Sequence, residues 1–227
     1  MIEIDDVSKS FTLHNQGGAV IRVMEGAALS VAPGECVALT GASGAGKSTL
    51  MRMIYGNYRA ASGRILVGGV DVAQAAPREI IKLRRKVLGY VSQFLRVVPR
   101  VPTLQVVAEP LRVLGVSAED AQARAAELLG LLNIPEPLWS LSPTTFSGGE
   151  QQRVNIARGF AHPYPVMLLD EPTASLDARN REIVLSVIEA AKARGAAIVG
   201  IFHDEAARAR ICDREIDVSL FTPKRAA

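Results

Sequence analysis

Cys36-Val37-Ala38-Leu39-Thr40, followed by Gly41-Ala42-Ser43-Gly44-Ala45-Gly46-Lys47-Ser48-Thr49, is the stretch whose reading decides the fold. Its first half is short, apolar and partly β-branched, the pattern of a buried strand. After it, Leu50, Met51, Met53 and Ile54 recur at helical spacing. A glycine-rich loop between a strand and a helix fits G-x-x-x-x-G-K-[ST], the pattern of a phosphate-binding loop. Its glycines let backbone N–H groups close around phosphate oxygens, and the helix N-terminus adds the positive end of a dipole. Lys47 is then placed for the β- and γ-phosphates and the Ser48 hydroxyl for Mg2+. The bland alternative is a turn that only joins two elements; Lys-Ser-Thr at its end argues against that.

Outward from this loop, bulk properties set limits. The chain has 227 residues, 48% hydrophobic and 22% charged, ordinary for one globular domain with an insertion. A net charge of +3 is too small to argue for nucleic acid. No apolar run approaches the roughly 18 residues of a membrane span, and the N-terminus lacks the pattern of a signal peptide. The expectation is a soluble, cytoplasmic protein with no direct membrane insertion. Cys36 and Cys212 have no metal-type spacing and read as packing residues, and Lys224-Arg225 as a solvated tail.

Upstream, Ile2, Ile4, Phe11 and Leu13 alternate with polar neighbours, a turn cluster spans His14 to Gly18, and strands follow near Val20 to Met24 and Leu29 to Val31. These early strands suggest a mixed sheet. Downstream, Gly68-Gly69 reads as a hairpin turn, Pro77 to Lys86 as a helix and Val87 to Ser92 as a strand ending at Gln93. From Phe94 to about Phe160 the character changes: Pro99, Pro102 and Pro110 punctuate it, then Ala118 to Leu132 is helical. An inserted, mainly helical subdomain over 94–160 is expected, with 1–93 and 161–227 forming the core and an antiparallel β part.

Two segments carry further chemistry. Ser147-Gly148-Gly149-Glu150 is a capping box opening a helix through Gly159 and also a second potential anion site. Val166 to Asp170 is an apolar strand ending in a carboxylate suited to hold Mg2+ through water. Pro172 stops that strand and is expected to confine Glu171 to an extended backbone, aiming it at a water as general base. Asp177 starts a helix stopped by Gly195, and Ala196 to Phe202 is read as the last strand, with His203 at its carboxyl end.

The loop at 41–49, Gln93, Ser147 to Gln151, Ser175-Leu176-Asp177, Asp170-Glu171 and His203 occur in the order that resembles the ATP-binding-cassette (ABC) ATPases over nearly the whole chain. The resemblance implies an α/β P-loop NTPase of ABC type, a single domain built as above, with ATP and Mg2+. It implies that Phe11 stacks on the base, that Gln93 contacts Mg2+ and water, and that His203 senses the γ-phosphate. It also implies that Ser147, Gly148, Gly149, Glu150 and Asp177 face nucleotide held by a second cassette packed head to tail. Phe146 stands where many cassettes have Leu, a conservative change.

Three longer stretches, Gly89 to Arg100, Thr145 to Phe160 and Gly195 to Glu205, resemble the PhnL cassettes of the bacterial carbon–phosphorus lyase system. That likeness implies an ATPase supporting formation of alpha-D-ribose 1-methylphosphonate 5-triphosphate from ATP and methylphosphonate. Its partners would be the lyase core complex and a copy of itself or a sister PhnK-like cassette. The alternative on the shared motifs alone is the ATPase subunit of a membrane transporter for phosphonate, lipoprotein or other cargo. The face from Phe94 to Arg100 would then meet a permease.

Overall fold

The computed structural model describes residues 1–13, 15 and 17–223; His14 and Gln16 of the expected turn, and Lys224-Arg225, lie outside the described residues. In chain order the elements are β1 (Ile2–Leu13), β2 (Ala19–Val31), β3 (Cys36–Thr40), α1 (Lys47–Ile54), β4 (Ser62–Val67), β5 (Val70–Asp71), α2 (Pro77–Lys86) and β6 (Leu88–Val91). They continue as α3 (Thr103–Val113), α4 (Ala118–Leu131), α5 (Gly148–Gly159), β7 (Val166–Asp170), α6 (Ala178–Ala193), β8 (Ala197–Ile201), α7 (Glu205–Ile211) and β9 (Arg214–Asp217).

The mixture of strand directions expected from the sequence is divided between two sheets. Strands β2-β1-β4-β5 pair antiparallel, and β6-β7-β8-β3-β9 pair parallel. The parallel sheet is buried on both faces, which explains why its central strands read as unbroken apolar runs. Alternation divides their side chains: Val37 and Leu39 join the core shared with the antiparallel sheet and α1, whereas Cys36 and Ala38 join the core with α3 to α6. Helix α1 supplies Leu50, Met51, Met53 and Ile54 to the first of these cores. Each such burial contributes about 1.5–3 kcal/mol.

Local rules account for most boundaries. Gly68 and Gly69 have φ of 55° and 85°, the two positive values that a two-residue hairpin of type I′ requires. Pro77 opens α2, and Asp177 caps α6 by accepting from Asn180 N at 2.8 Å. Two readings change. Pro110, read as punctuation, lies inside helix α3, and β9 follows the strand read as last. The sequence hid β9 because Arg214 and Glu215 are exposed on a sheet edge, so it lacks an apolar run.

One glycine fixes how β1 meets β4. Gly63 has φ +84°, and a Cβ there would lie 2.3 Å from the backbone oxygen of Asp6. Gly63→Ala is expected to destabilise the protein by about 2–4 kcal/mol, read as a lower midpoint in urea at unchanged m-value. An unchanged midpoint would show that the β1–β4 approach is not tight.

Candidate functional site

Four neighbouring parallel strands deliver the sequence-predicted residues to one edge. Strand β6 leads to Gln93, β7 ends in Asp170 and Glu171, β8 leads to His203, and β3 leads into the loop 41–46. The carboxyl edge of a parallel sheet is where ligands gather, since loops and helix N-termini converge there.

Gly46, with φ 102°, is the N-cap of α1. It offers no side chain to the first N–H groups of the helix, and the first turn holds no acidic residue. Those donors and the dipole end are therefore free for an anion. Lys47 Nζ donates to Gly41 O at 2.7 Å and Ala42 O at 3.0 Å, curling over the loop. Ser43, Gly44 and Ser48 are exposed, Thr49 is half-buried and Ala45 is buried.

Glu171 corrects the sequence reading. Its φ is +53°, in the left-handed region rather than extended. Proline constrains its predecessor mainly against right-handed helix, so the left-handed turn stays open, at a cost of about 1–3 kcal/mol. The turn takes the carboxylate out of the line of β7 and into a clamp. Gln93 Nε2 donates to one oxygen at 3.0 Å, and His203 Nε2 lies 2.8 Å from the other. Glu171 N still donates to Ile201 O at 3.0 Å, which ties the bend to β8.

Asp170 is buried, with 8% exposure. Burial pushes its carboxyl above the usual range, and the Tyr90 hydroxyl, donating at 3.1 Å, works against that rise. A buried carboxylate with one neutral donor fits a nearby cation. Among the described residues no cluster of three or more His, Cys, Asp or Glu side chains could cage a metal. Mg2+ is usually held by one or two carboxylates together with substrate oxygens and water, and the buried Asp170 carboxylate fits that arrangement.

The second candidate anion site is the start of α5. Ser147 caps α5: Glu150 N donates to Ser147 Oγ at 3.3 Å, while Ser147 N donates to Glu150 Oε2 at 2.9 Å. Among the described residues no hydrogen bond or ion pair joins Ser147, Gly148 or Glu150 to Lys47, Asp170 or the Glu171 carboxylate. Gly149 packs against the loop before α6, since a Cβ there would lie 3.0 Å from Ser175 O. Phe11 is half-buried, with the Tyr58 ring edge-on at 5.3 Å and Lys9 Nζ 4.7 Å from its centroid.

Sequence reasoning missed the side chains that brace this site. Buried Gln152 donates to Glu171 O at 3.3 Å and Pro172 O at 3.2 Å, and Asn155 donates to Ser92 O at 2.6 Å. Together they tie α5 to the segments bearing Glu171 and Gln93. The only signal was two polar residues on a helix whose apolar face is short, and such residues usually face water.

A family model described as "ABC transporter" matches residues 24–174. The lipoprotein-releasing system ATP-binding protein LolD of Geobacter metallireducens is 37% identical over 206 residues, 90% of each chain. The macrolide export ATP-binding/permease protein MacB of Wolinella succinogenes is 37% identical over 204 residues, 90% of this chain but 31% of that longer protein. Among solved structures, the dimeric post-hydrolysis state of the ATP-binding cassette MJ0796 bound to ADP and Pi superposes with a TM-score of 0.88. It is 27% identical, and the match covers 96% of this chain and 95% of that one.

Proposed function

The chain belongs to the ABC transporter family of ATP-binding cassettes, and from that premise we propose that it hydrolyses ATP as half of a two-cassette switch. The observation that carries this reading is the Glu171 carboxylate, clamped from the two neighbouring strands by Gln93 and His203. In the proposed mechanism Lys47 exchanges its carbonyl acceptors at Gly41 and Ala42 for the β- and γ-phosphates of ATP. The loop amides of 41–46 and the start of α1 hold the phosphate chain, Ser48 and Thr49 close its inner side, and Phe11 stacks on the base. Mg2+, when bound, supplies charge neutralisation at the phosphates. Glu171 takes the proton of the attacking water, while Gln93 and His203 fix its direction.

Among the described residues Ser147 to Glu150 and Asp177 make no hydrogen bond or ion pair with Lys47, Asp170 or the Glu171 carboxylate, which is consistent with their use on nucleotide held by a second cassette. Two solved relatives are described as dimeric, which supports a second copy of this chain as the partner; a sister cassette is the alternative. The helix N-terminus at Gly148 would meet the γ-phosphate only while that phosphate is present, so hydrolysis separates the pair.

For the task that the switch drives, the named relatives favour a membrane transporter's ATPase over the phosphonate reading. LolD and MacB are described as lipoprotein-releasing and macrolide-export proteins, and they lend no support to a carbon–phosphorus lyase role. No helix among the described residues is long and apolar enough to cross a membrane. The second reading, an ATPase of the phosphonate system in the cytoplasm, rests on the stretches at 89–100, 145–160 and 195–205. Affinity purification from detergent-solubilised cells with ATP separates the two. The transporter reading expects a multi-span permease to co-purify; lyase subunits without a permease would overturn it in favour of the phosphonate system.

A further inference from the structure

Cys36 and Cys212 are the two cysteines of the chain, 176 positions apart in sequence. Both are free thiols, and the fold brings their sulfurs to 3.5 Å, a contact that their spacing in sequence hid. Cys36 opens β3 and is fully buried, whereas Cys212 is half-buried in the turn between α7 and β9. Backbone contacts hold the two segments at sheet distance: Asp213 N donates to Cys36 O at 2.8 Å, and Cys36 N donates to Asp213 Oδ2 at 2.8 Å. Neighbouring strands lie about 4.8 Å apart, inside the roughly 4.4–6.8 Å between Cα atoms that a disulfide spans. Joining the sulfurs therefore asks for a turn of side chains and little of the backbone.

The two thiols are not equivalent. The hydrogen bond from the Cys36 thiol holds Cys212 below the ordinary thiol range; burial opposes this, and the Lys192 charge adds to it. The same hydrogen bond, together with burial, pushes Cys36 up. Lys192 Nζ is anchored on both sides of Cys212, donating to Ile211 O at 2.9 Å and to Asp213 Oδ1 at 2.7 Å. An accessible sulfur that sheds its proton beside a buried one that keeps it is the arrangement of an attacking and a resolving thiol. Among the described residues no third His, Cys, Asp or Glu completes a group able to hold a metal ion.

We propose that Cys36 and Cys212 form a reversible oxidation site, which takes up a peroxide and closes to a disulfide that clips the edge strand β9 to β3. The Cys212 thiolate attacks one peroxide oxygen, the O–O bond breaks, and Cys212 becomes the sulfenic acid. The hydroxide released recovers from solvent the proton that Cys212 had lost, giving one water. The Cys36 sulfur then attacks the sulfenic sulfur: the S–S bond forms, the S–O bond breaks, and the departing hydroxide takes the Cys36 proton as a second water. The two thiols lose two electrons and the peroxide gains them. Strand β9 pairs with β3 alone, so the bond secures the strand that flanks the one leading to the loop at 41–49.

The test treats the folded, reduced full chain with hydrogen peroxide near stoichiometry. Both thiols are expected to disappear together, and the mass of the pair to fall by two hydrogen atoms. Digestion should show the Cys36 and Cys212 peptides joined within one chain, and dithiothreitol should restore both thiols. The oxidised chain is expected to unfold at higher urea than the reduced one, because the crosslink constrains the unfolded state. Cys212→Ser is expected to slow loss of the Cys36 thiol at least tenfold, and Cys36→Ser to leave Cys212 as a sulfenic acid captured by dimedone. Cys212→Ser alters a half-buried position and keeps the test decisive if Cys36→Ser does not fold. Oxidation of wild-type Cys212 beyond the sulfenic acid with Cys36 still free would overturn the proposal. So would a disulfide between two chains, joining only in unfolded protein, or an unchanged urea midpoint.

Discussion

Glu171→Gln is expected to cut the steady-state ATPase rate by a factor of about 100–10,000 while leaving ATP binding intact. Removing a positioned general base costs this much because the attacking water must lose its proton unaided, equivalent to about 3–5 kcal/mol of barrier. Glutamine preserves the size of the side chain and one oxygen, so the left-handed turn at φ 53° and the hydrogen bond from Gln93 can persist. The loss therefore reports chemistry rather than collapse of the clamp. A rate within threefold of the wild type would remove Glu171 from the role of base.

Gly148→Asp should have an effect of similar size by a different route. A Cβ at Gly148 meets nothing within 4 Å, and Gly148 has no positive φ, so the chain itself accepts a side chain there. A carboxylate in the first turn of α5 even favours the isolated helix by about 0.3–1 kcal/mol. The same carboxylate would stand where the partner's γ-phosphate is proposed to dock, and like charges brought together at an interface cost several kcal/mol. The expected phenotype is unchanged melting temperature, unchanged ATP affinity of the single chain, and hydrolysis reduced by about a hundredfold or more. Undiminished hydrolysis would show that α5 does not face nucleotide.

These two substitutions probe the part of the site that is hardest to see in one chain. The strand–loop–helix at 36–54 was legible because each level agrees: a buried strand, a glycine loop, and a helix with its apolar face on the core. The cap at Ser147 and the start of α6 at Asp177 were legible for the same local reason. Glu171 was legible by type and position but not by conformation. Its left-handed turn is stabilised by Gln93 and His203, both more than thirty residues away in sequence. Gln152 and Asn155 escaped because burial of a polar side chain depends on the carbonyls that it finds, and those lie on other segments. Strand β9 escaped because the edge of a parallel sheet needs no apolar run. The longer likeness to phosphonate cassettes concerns the task, and the named relatives, LolD and MacB, favour transport instead.

The loop at 41–49 is proposed as half of a site completed by another cassette, with hydrolysis as its release. Light scattering coupled to size exclusion on Glu171→Gln protein, with and without ATP, tests for that second cassette. Each chain weighs 24.2 kDa. That mass is expected without nucleotide, about twice it with ATP, and the single-chain mass again with ADP. A single-chain mass in ATP, at concentrations where bound nucleotide is measured on every chain, would contradict it.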